Sequence, residues 1–117
     1  MSLPVGILGA GHLAEYLVEG LMRSGLAPGD VVLSPRGRAV EIARRFGVAI
    51  ARDNADLVEA AATVVLAVRP AQAAALAGLP FSPSHLVVSC CAGVPLAPLA
   101  DRARPATVVR AMPLSAA

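Results

Sequence analysis

The stretch from Val5 to Ala14 reads VGILGAGHLA and combines a short apolar run with a glycine-rich turn. The apolar run predicts a buried β-strand, and Gly9, Gly11 and Ala14 then follow the spacing G-x-G-x-x-A. In this pattern the first glycine makes a tight turn, the second lets backbone approach a pyrophosphate, and the small third residue lets the next helix pack on the strand. The free N–H groups that begin this helix favour an anion. The stretch therefore predicts a dinucleotide site, and the alternative is a glycine turn with only a packing role.

Outward from this turn, short apolar runs alternate with helical patterns along the chain. Strands are predicted at residues 5–8, 31–34, 48–50, 63–68, 86–90 and 107–110. Helices are predicted at about residues 11–24, 37–46, 54–61, 70–78 and 95–102. This alternation is typical of an α/β protein with a doubly wound, mainly parallel sheet of about six strands and helices on both faces. The predicted fold is therefore of the Rossmann type and occupies residues 1–117 as one domain.

The residues after the second predicted strand indicate which dinucleotide is favoured. NAD sites commonly place Asp or Glu there to bind the ribose hydroxyls, whereas the sequence SPRGR that starts at Ser34 contains no acid. Ser34, Arg36 and Arg38 are placed to bind a 2′-phosphate, and one charged hydrogen bond contributes about 1.5–3 kcal/mol. We therefore expect NADP(H), favoured about ten- to hundredfold over NAD(H). The alternative is a solvated basic helix face on which Arg38 and Arg45 flank Glu41. The missing acid also argues against a methyltransferase that uses S-adenosylmethionine.

Three further strand ends are expected near the ligand, because ligands of open parallel sheets bind beyond the carboxyl ends of the strands. They are the stretches Ala67–Pro70, Cys91–Val94 and Met112–Pro113. The first two contain small or rigid residues against which a planar ring can lie, so we expect them to line a nicotinamide. Asn54 is expected on the adenosine side, with a plain helix cap as the alternative.

Composition narrows the class of protein further. The chain has 117 residues, of which 56% are hydrophobic and 15% charged, so it is expected to fold around a single core. A net charge of +2 and the absence of Trp argue against a nucleic-acid binder. All ten basic residues are Arg, which excludes a Schiff-base or P-loop lysine. Repeated prolines interrupt the uncharged stretch from Pro70 to Ala100, so no membrane span is expected.

Candidate catalytic groups are few. His12 in the glycine turn could contact the pyrophosphate or act as an acid, but a polar substitute at that position is the simpler interpretation. His85 is expected on the surface before the fifth strand, and Cys90 and Cys91 are expected as small core residues. No catalytic residue and no metal site can be named from these residues. A disulfide between the adjacent Cys90 and Cys91 would be strained, and no signal peptide is visible, so we expect a cytoplasmic protein.

Five segments, in order and over nearly the whole chain, together resemble the N-terminal domain of pyrroline-5-carboxylate reductases. They are Ile7–Ala14, Asp53–Asn54, Leu66–Pro70, Ala92–Leu96 and Val109–Pro113. That family reduces the cyclic imine 1-pyrroline-5-carboxylate to proline with NAD(P)H. The resemblance implies the NADP(H)-binding domain of an oxidoreductase of proline biosynthesis.

The resemblance also implies ligand contacts residue by residue. The pyrophosphate would be held by Gly9, Gly11, His12 and Leu13. The adenosine phosphate would be bound by Ser34, Arg36 and Arg38, and the ribose region by Asn54. The nicotinamide would be flanked by Ala67, Val68, Arg69, Pro70, Ala92 and Gly93.

The chain departs from this family at several points. His12 stands where the family usually has Asn, Arg69 stands where it has Lys, and the segment Met-Pro-Asn-Thr-Pro reads MPLSA from Met112. The helical C-terminal domain, which forms the dimer and supplies most substrate contacts in the family, is absent from these residues. We therefore expect the chain to bind cofactor, to turn over little or no substrate alone, and to join the missing domain or self-associate.

Two other functions stay open from the sequence. One is the cofactor domain of a different NADP-dependent reductase, acting on a hydroxyacid or linked to coenzyme F420. The other is a stand-alone nucleotide-binding or interaction module without catalysis. A substrate panel on a longer chain would distinguish a different reductase from a pyrroline-5-carboxylate reductase. Cofactor-dependent binding of a partner would identify a stand-alone module.

Overall fold

The computed structural model describes residues 2–69, 72, 76–90 and 95–111 of the chain. The strands are β1 (Val5–Leu8), β2 (Val31–Leu33), β3 (Ala49–Ile50), β4 (Thr63–Leu66), β5 (Leu86–Ser89) and β6 (Thr107–Arg110). The helices are α1 (His12–Arg23), α2 (Ala39–Phe46), α3 (Asn54–Ala60) and α4 (Leu96–Arg102), with one 3₁₀ turn at Pro28–Asp30. These bounds agree with the predicted elements to within two residues at each end. The helix predicted at 70–78 lies mostly outside the described residues.

The six strands form one parallel sheet in the order β3-β2-β1-β4-β5-β6. The chain starts at the centre of the sheet, builds outward through β2 and β3, and then returns to the other side of β1 through β4. The direction of winding therefore reverses between β1 and β4, and this reversal is where open α/β sheets bind ligands. The prediction of a doubly wound α/β fold of the Rossmann type is confirmed.

Buried side chains form two clusters, one on each face of the sheet. On α1, Ala14 and Val18 are fully buried against the first face, and on α3, Leu57 and Val58 are fully buried against the second. The short side chain at Ala14 lets α1 lie close to β1, as the G-x-G-x-x-A pattern predicts. Each helix thus holds its apolar face on the sheet and fixes the loop that precedes it.

The two faces of the sheet are covered to different extents at β5 and β6. On the face where α3 and α4 pack, Val87 is fully buried and its neighbour Val108 is partly buried. On the other face the row of paired residues becomes progressively exposed, from Val65 at 7% through Val88 to Val109 at 42%. We call Leu86, Val88, Thr107 and Val109 the open face, because they share this side of the sheet beyond α1.

His85 is buried, at 7% exposure, and the expectation that it lies on the surface is wrong. Its Nε2 lies 2.7 Å from the carbonyl oxygen of Val58, and its Nδ1 accepts a hydrogen bond of 2.9 Å from the backbone N–H of Ser82. The imidazole therefore joins the end of α3 to the loop before β5 and satisfies two backbone groups. Because both ring nitrogens have backbone partners, the polar side chain of His85 can be buried.

Candidate functional site

Gly9 directly follows β1 and has a backbone conformation that favours glycine, at φ +95°. A Cβ atom placed there would lie 2.6 Å from the carbonyl oxygen of Ala67 and 2.9 Å from the nitrogen of Val68. The turn therefore packs directly on the segment that follows β4. This close approach brings together two of the predicted ligand-binding segments, at the point where the strand order reverses.

Gly11 is the N-cap of α1 and differs from Gly9, because its φ of −97° is open to any residue. Apart from its immediate chain neighbours, no described residue has an atom within 4 Å of a Cβ placed at Gly11. No side chain caps the helix there, and His12 in its first turn is exposed. The packing of the fold thus gives no reason for a glycine at this position. Open space in front of free helix N–H groups fits an anion such as a pyrophosphate.

Ser34 lies at the end of β2 but turns its side chain inward, and only 5% of it is exposed. Its Oγ accepts a 2.7 Å hydrogen bond from the N–H of Gly9 and donates one of 3.2 Å to the carbonyl oxygen of Ile7. The one hydroxyl proton is therefore used within the protein and is not directed to an external phosphate. The structure assigns Ser34 to holding the glycine turn against β2.

Arg38 also differs from its expected role as a phosphate ligand. Its guanidinium lies 2.8 Å from a carboxylate oxygen of Glu15 on α1 and 3.0 Å from one of Glu41 on α2. The expected neighbour Arg45 does not pair with Glu41 but reaches Glu15 at 3.2 Å and Glu19 at 3.5 Å. These pairs tie α2 to α1 and leave Arg38 engaged within the chain.

The contact between Arg38 and Glu15 also shifts the protonation of both groups. The hydrogen bond from Arg38 is the main cause that holds the pKa of Glu15 below its ordinary value of 4.5. Burial opposes this effect, and the hydrogen bond from Arg45 adds to the lowering. The hydrogen bond between Arg38 and Glu15 also raises the pKa of Arg38. Both partners therefore stay charged at neutral pH, and the link between the two helices persists.

A shallow cleft of about 400 Å³ opens beside β2 and β3, at their carboxyl ends. It is lined by Pro35, Arg36, Arg52, Asp53 and Asn54. The structure thus brings Arg36 and Asn54, both expected on the adenosine side, into one cleft. Asp53 caps α3 by accepting a 2.8 Å hydrogen bond from the N–H of Asp56, so Asn54 is not the helix cap.

Sequence reasoning missed Arg52 as part of this cleft. The signal that could have identified it is its position two residues after β3, since β3 is the neighbour of β2 in the sheet. The carboxyl ends of neighbouring parallel strands lie at the same edge of the sheet. A cationic residue after β3 therefore lies beside the residues that follow β2.

Only part of the expected nicotinamide side falls within the described residues. Ala67 and Val68 are half-buried behind Gly9, and Arg69 is exposed. The N–H of Arg69 donates to the side-chain oxygen of Gln72 at 3.2 Å. The predictions for Pro70, Ala92 and Gly93, and those for Cys91 and residues 112–117, lie outside the described residues.

Across the residues that the structure describes, no group of three or more His, Cys, Asp or Glu side chains could hold a metal ion. Over the same part of the chain no helix has the length and apolar character needed to cross a membrane. Cys90 is buried within the core, as expected. The chemically distinctive surface is therefore the carboxyl edge of β1, β2 and β3.

Comparison with known proteins adds to this geometry. Residues 4–93 match the family described as NADP oxidoreductase, coenzyme F420-dependent. Over 121 aligned residues the chain is 37% identical to pyrroline-5-carboxylate reductase from Pseudomonas aeruginosa, covering 97% of this chain and 44% of that protein. The chain thus spans less than half the length of this relative.

Solved structures give the same result for the fold. The pyrroline-5-carboxylate reductase of Coxiella burnetii superposes with a TM-score of 0.81 at 27% identity, covering 97% of this chain and 44% of that one. The pyrroline carboxylate reductase of Plasmodium falciparum, solved with NADP bound, superposes with a TM-score of 0.81, covering 96% of this chain and 42% of that one. At 19% identity the second likeness concerns the fold alone.

Proposed function

The chain belongs to the family of NADP oxidoreductases described as coenzyme F420-dependent, and on this premise we propose that it is the NADP(H)-binding domain of a pyrroline-5-carboxylate reductase. The observation that carries the proposal is the open space at Gly11 in front of α1. Gly11 lies in a turn that is held in place by Ser34 and by the segment after β4. A turn with only a packing role would explain Gly9 but not Gly11.

The residues present fit a dinucleotide along the carboxyl edge of the sheet. The backbone of the glycine turn and the first N–H groups of α1 would bind the pyrophosphate, with the residues Gly9, Gly11, His12 and Leu13. Arg36 and Asn54, which share one cleft, would bind the adenosine side. The nicotinamide side would be formed by Ala67, Val68, Arg69, Pro70, Ala92 and Gly93. Ser34 and Arg38 support this edge from within the protein rather than as phosphate ligands.

The preference for NADP(H) over NAD(H) follows from the charges beside β2. No carboxylate follows this strand directly, whereas Arg36 is exposed in the cleft and makes no ion pair with a described residue. A guanidinium binds a phosphate with charged hydrogen bonds that a ribose hydroxyl cannot replace. We therefore assign the 2′-phosphate to Arg36.

In the complete protein the bound cofactor would supply hydride to the C=N carbon of pyrroline-5-carboxylate, and a proton taken up at the ring nitrogen would complete proline. This chain's own residues bind and orient the cofactor, and none of them is assigned a proton-transfer role. The remaining half of the relatives' length would supply the substrate contacts. We propose that this part docks on the open face beside α1, where Val109 is 42% exposed. We propose a reducing, cytoplasmic location, because the sequence has only the two adjacent cysteines Cys90 and Cys91, between which a disulfide would be strained.

Calorimetric titration of the 117-residue chain tests the proposed cofactor. NADPH and 2′-phospho-ADP-ribose should bind at least about tenfold more tightly than NADH, as one charged hydrogen bond requires. Equal binding of NADPH and NADH would contradict the assignment of Arg36. Absence of saturable binding by all three would contradict the proposed function. Addition of pyrroline-5-carboxylate should cause little or no NADPH oxidation by this chain alone.

A further inference from the structure

Five arginines lie between Arg36 and Arg52, and the structure divides them into three groups. Arg38 and Arg45 are paired with acids of α1. Arg44 lies exposed on α2 and makes no ion pair with a described residue. Arg36 and Arg52 line the cleft. The cleft therefore has a second cation besides the one that the proposed function uses.

Arg52 is held in place along one edge of its guanidinium. Its Nε lies 3.0 Å from Oδ2 of Asp56, and one terminal nitrogen donates to Oδ1 of Asp56 at 3.2 Å. This two-point contact fixes the guanidinium plane and uses two of its five N–H donors. The side chain of Arg52 is 81% exposed, so the remaining donors are accessible to a ligand.

The sheet places Arg52 next to Arg36 through the pairing of β2 with β3. Leu33 is the register partner of Ile50, and the N–H of Ala51 donates to the carbonyl oxygen of Leu33 at 2.8 Å. Both strands therefore end at the same level, and the residues that follow them line one cleft. Within that lining the two guanidinium groups outnumber the single carboxylate of Asp53, one of whose oxygens already caps α3.

We propose that Arg52, positioned by Asp56, is a second specificity-determining residue that binds the 2′-phosphate of NADP(H) together with Arg36. This inference rests on the proposed function, since it names a further residue for the same cofactor. Asp56 acts through Arg52 and is a positioning residue. Two cations on one phosphate add charged hydrogen bonds to the NADP(H) complex that NAD(H) cannot form.

The test compares two ligands that differ only by the phosphate concerned, adenosine 2′,5′-bisphosphate and adenosine 5′-monophosphate. Both are titrated by calorimetry into the full 117-residue chain at low salt. Arg52→Gln should weaken binding of the bisphosphate roughly tenfold, which corresponds to about one charged hydrogen bond, and should change binding of the monophosphate less than about twofold. Arg44→Gln is the matched control, and it should change the binding of either ligand by less than about twofold.

Two further variants separate a ligand role from a structural one. Arg52→Lys keeps the charge but not the planar fork, so it should restore part of the lost affinity. Asp56→Asn should lower the affinity for the bisphosphate less than Arg52→Gln does, because the guanidinium remains but is less ordered. Circular dichroism and urea unfolding confirm that each variant is folded.

The outcomes distinguish this inference from the proposed function. If wild type prefers the bisphosphate but Arg52→Gln has no larger effect than Arg44→Gln, the inference is overturned and the proposed function stands. Equal losses for both ligands in Arg52→Gln also overturn it, because the residue then does not act on the phosphate. A wild-type chain that binds neither ligand contradicts the proposed function and the inference together.

Discussion

Gly9 and Gly11 lie two residues apart in one turn, yet the structure gives them different reasons to be glycine. At Gly9 the backbone has φ +95° and the Cβ position lies 2.6 Å from a backbone oxygen. Gly9→Ala should therefore lower the free energy of unfolding by about 2–4 kcal/mol, which urea denaturation measures.

At Gly11 the φ is ordinary and the space is open. Gly11→Ala should change stability by less than about 1 kcal/mol but weaken NADPH binding at least about tenfold, because the added methyl group lies where the ligand binds.

The two variants can contradict this interpretation independently. Retention of full NADPH affinity in folded Gly11→Ala would mean that the open space is not the pyrophosphate site. A Gly9→Ala chain as stable as wild type would mean that the close approach to Ala67 is not required by the fold.

How much of the site could be predicted depends on whether the signal is local in sequence. The glycine turn could be predicted, because its whole G-x-G-x-x-A pattern lies within the six residues from Gly9 to Ala14. The inward orientation of the Ser34 side chain could not be predicted. A shift of one residue in the strand register turns a side chain to the opposite face of the sheet. The partner of Arg38 is Glu15, 23 residues away, so no local pattern could pair them.

At the scale of elements, Glu15 joins α1 to α2 through Arg38 and Arg45. Because the hydrogen bond from Arg38 holds the pKa of Glu15 below 4.5, the folded chain takes up this proton less readily than the unfolded chain. The stabilisation by Glu15 is therefore complete above about pH 4.5 and is lost as pH falls through the lower folded-state pKa. Glu15→Gln should have a lower Tm than wild type at pH 7. This difference in Tm should shrink as the pH falls below about 4.5.

Glu59→Gln is the matched control for this pH series. Glu59 is exposed on α3 and makes no ion pair with a described residue. The Tm of Glu59→Gln should stay close to that of wild type in a series from pH 7 down to about pH 3, which extends below the pKa of 4.5 of an ordinary Glu. A difference between Glu15→Gln and wild type that is the same at all these pH values would show that the charge of Glu15 is not what joins the helices.

The fold itself was predicted more completely than the contacts between its elements. Apolar runs and helical periodicity are properties of consecutive residues, so the described strands and helices were located from them. The burial of His85 was missed because its partners, the Val58 carbonyl and the Ser82 N–H, come from separate segments. Such a side chain looks like an ordinary surface residue until α3 and β5 are packed together.

At the scale of the whole molecule, the described residues cover one face of the sheet out to β6, whereas the other face becomes progressively exposed from β4 to β6. The open face carries Val109 at 42% exposure beside Val88. We expect the 117-residue chain to self-associate through this surface, as exposed apolar patches commonly do. Val109→Glu should reduce the apparent mass of concentrated samples in multi-angle light scattering.

Val40→Glu is the control for this measurement, because Val40 is 54% exposed but lies on α2, away from the open face. It should leave the apparent mass as in wild type. If the wild-type chain stays monomeric at high concentration, or if both substitutions act equally, the open face is not the associating surface.

We propose that NADP(H) lies along the carboxyl edge of β1, β2 and β3. Titration of the ¹⁵N-labelled 117-residue chain with NADPH, followed by two-dimensional ¹H–¹⁵N NMR, tests this most directly. The account predicts saturable shifts that are largest at the amides of Gly9, Gly11, His12, Leu13 and Arg36. Shifts concentrated at residues 27–30, which precede β2 at the opposite edge of the sheet, or no saturable shifts at all, would contradict it.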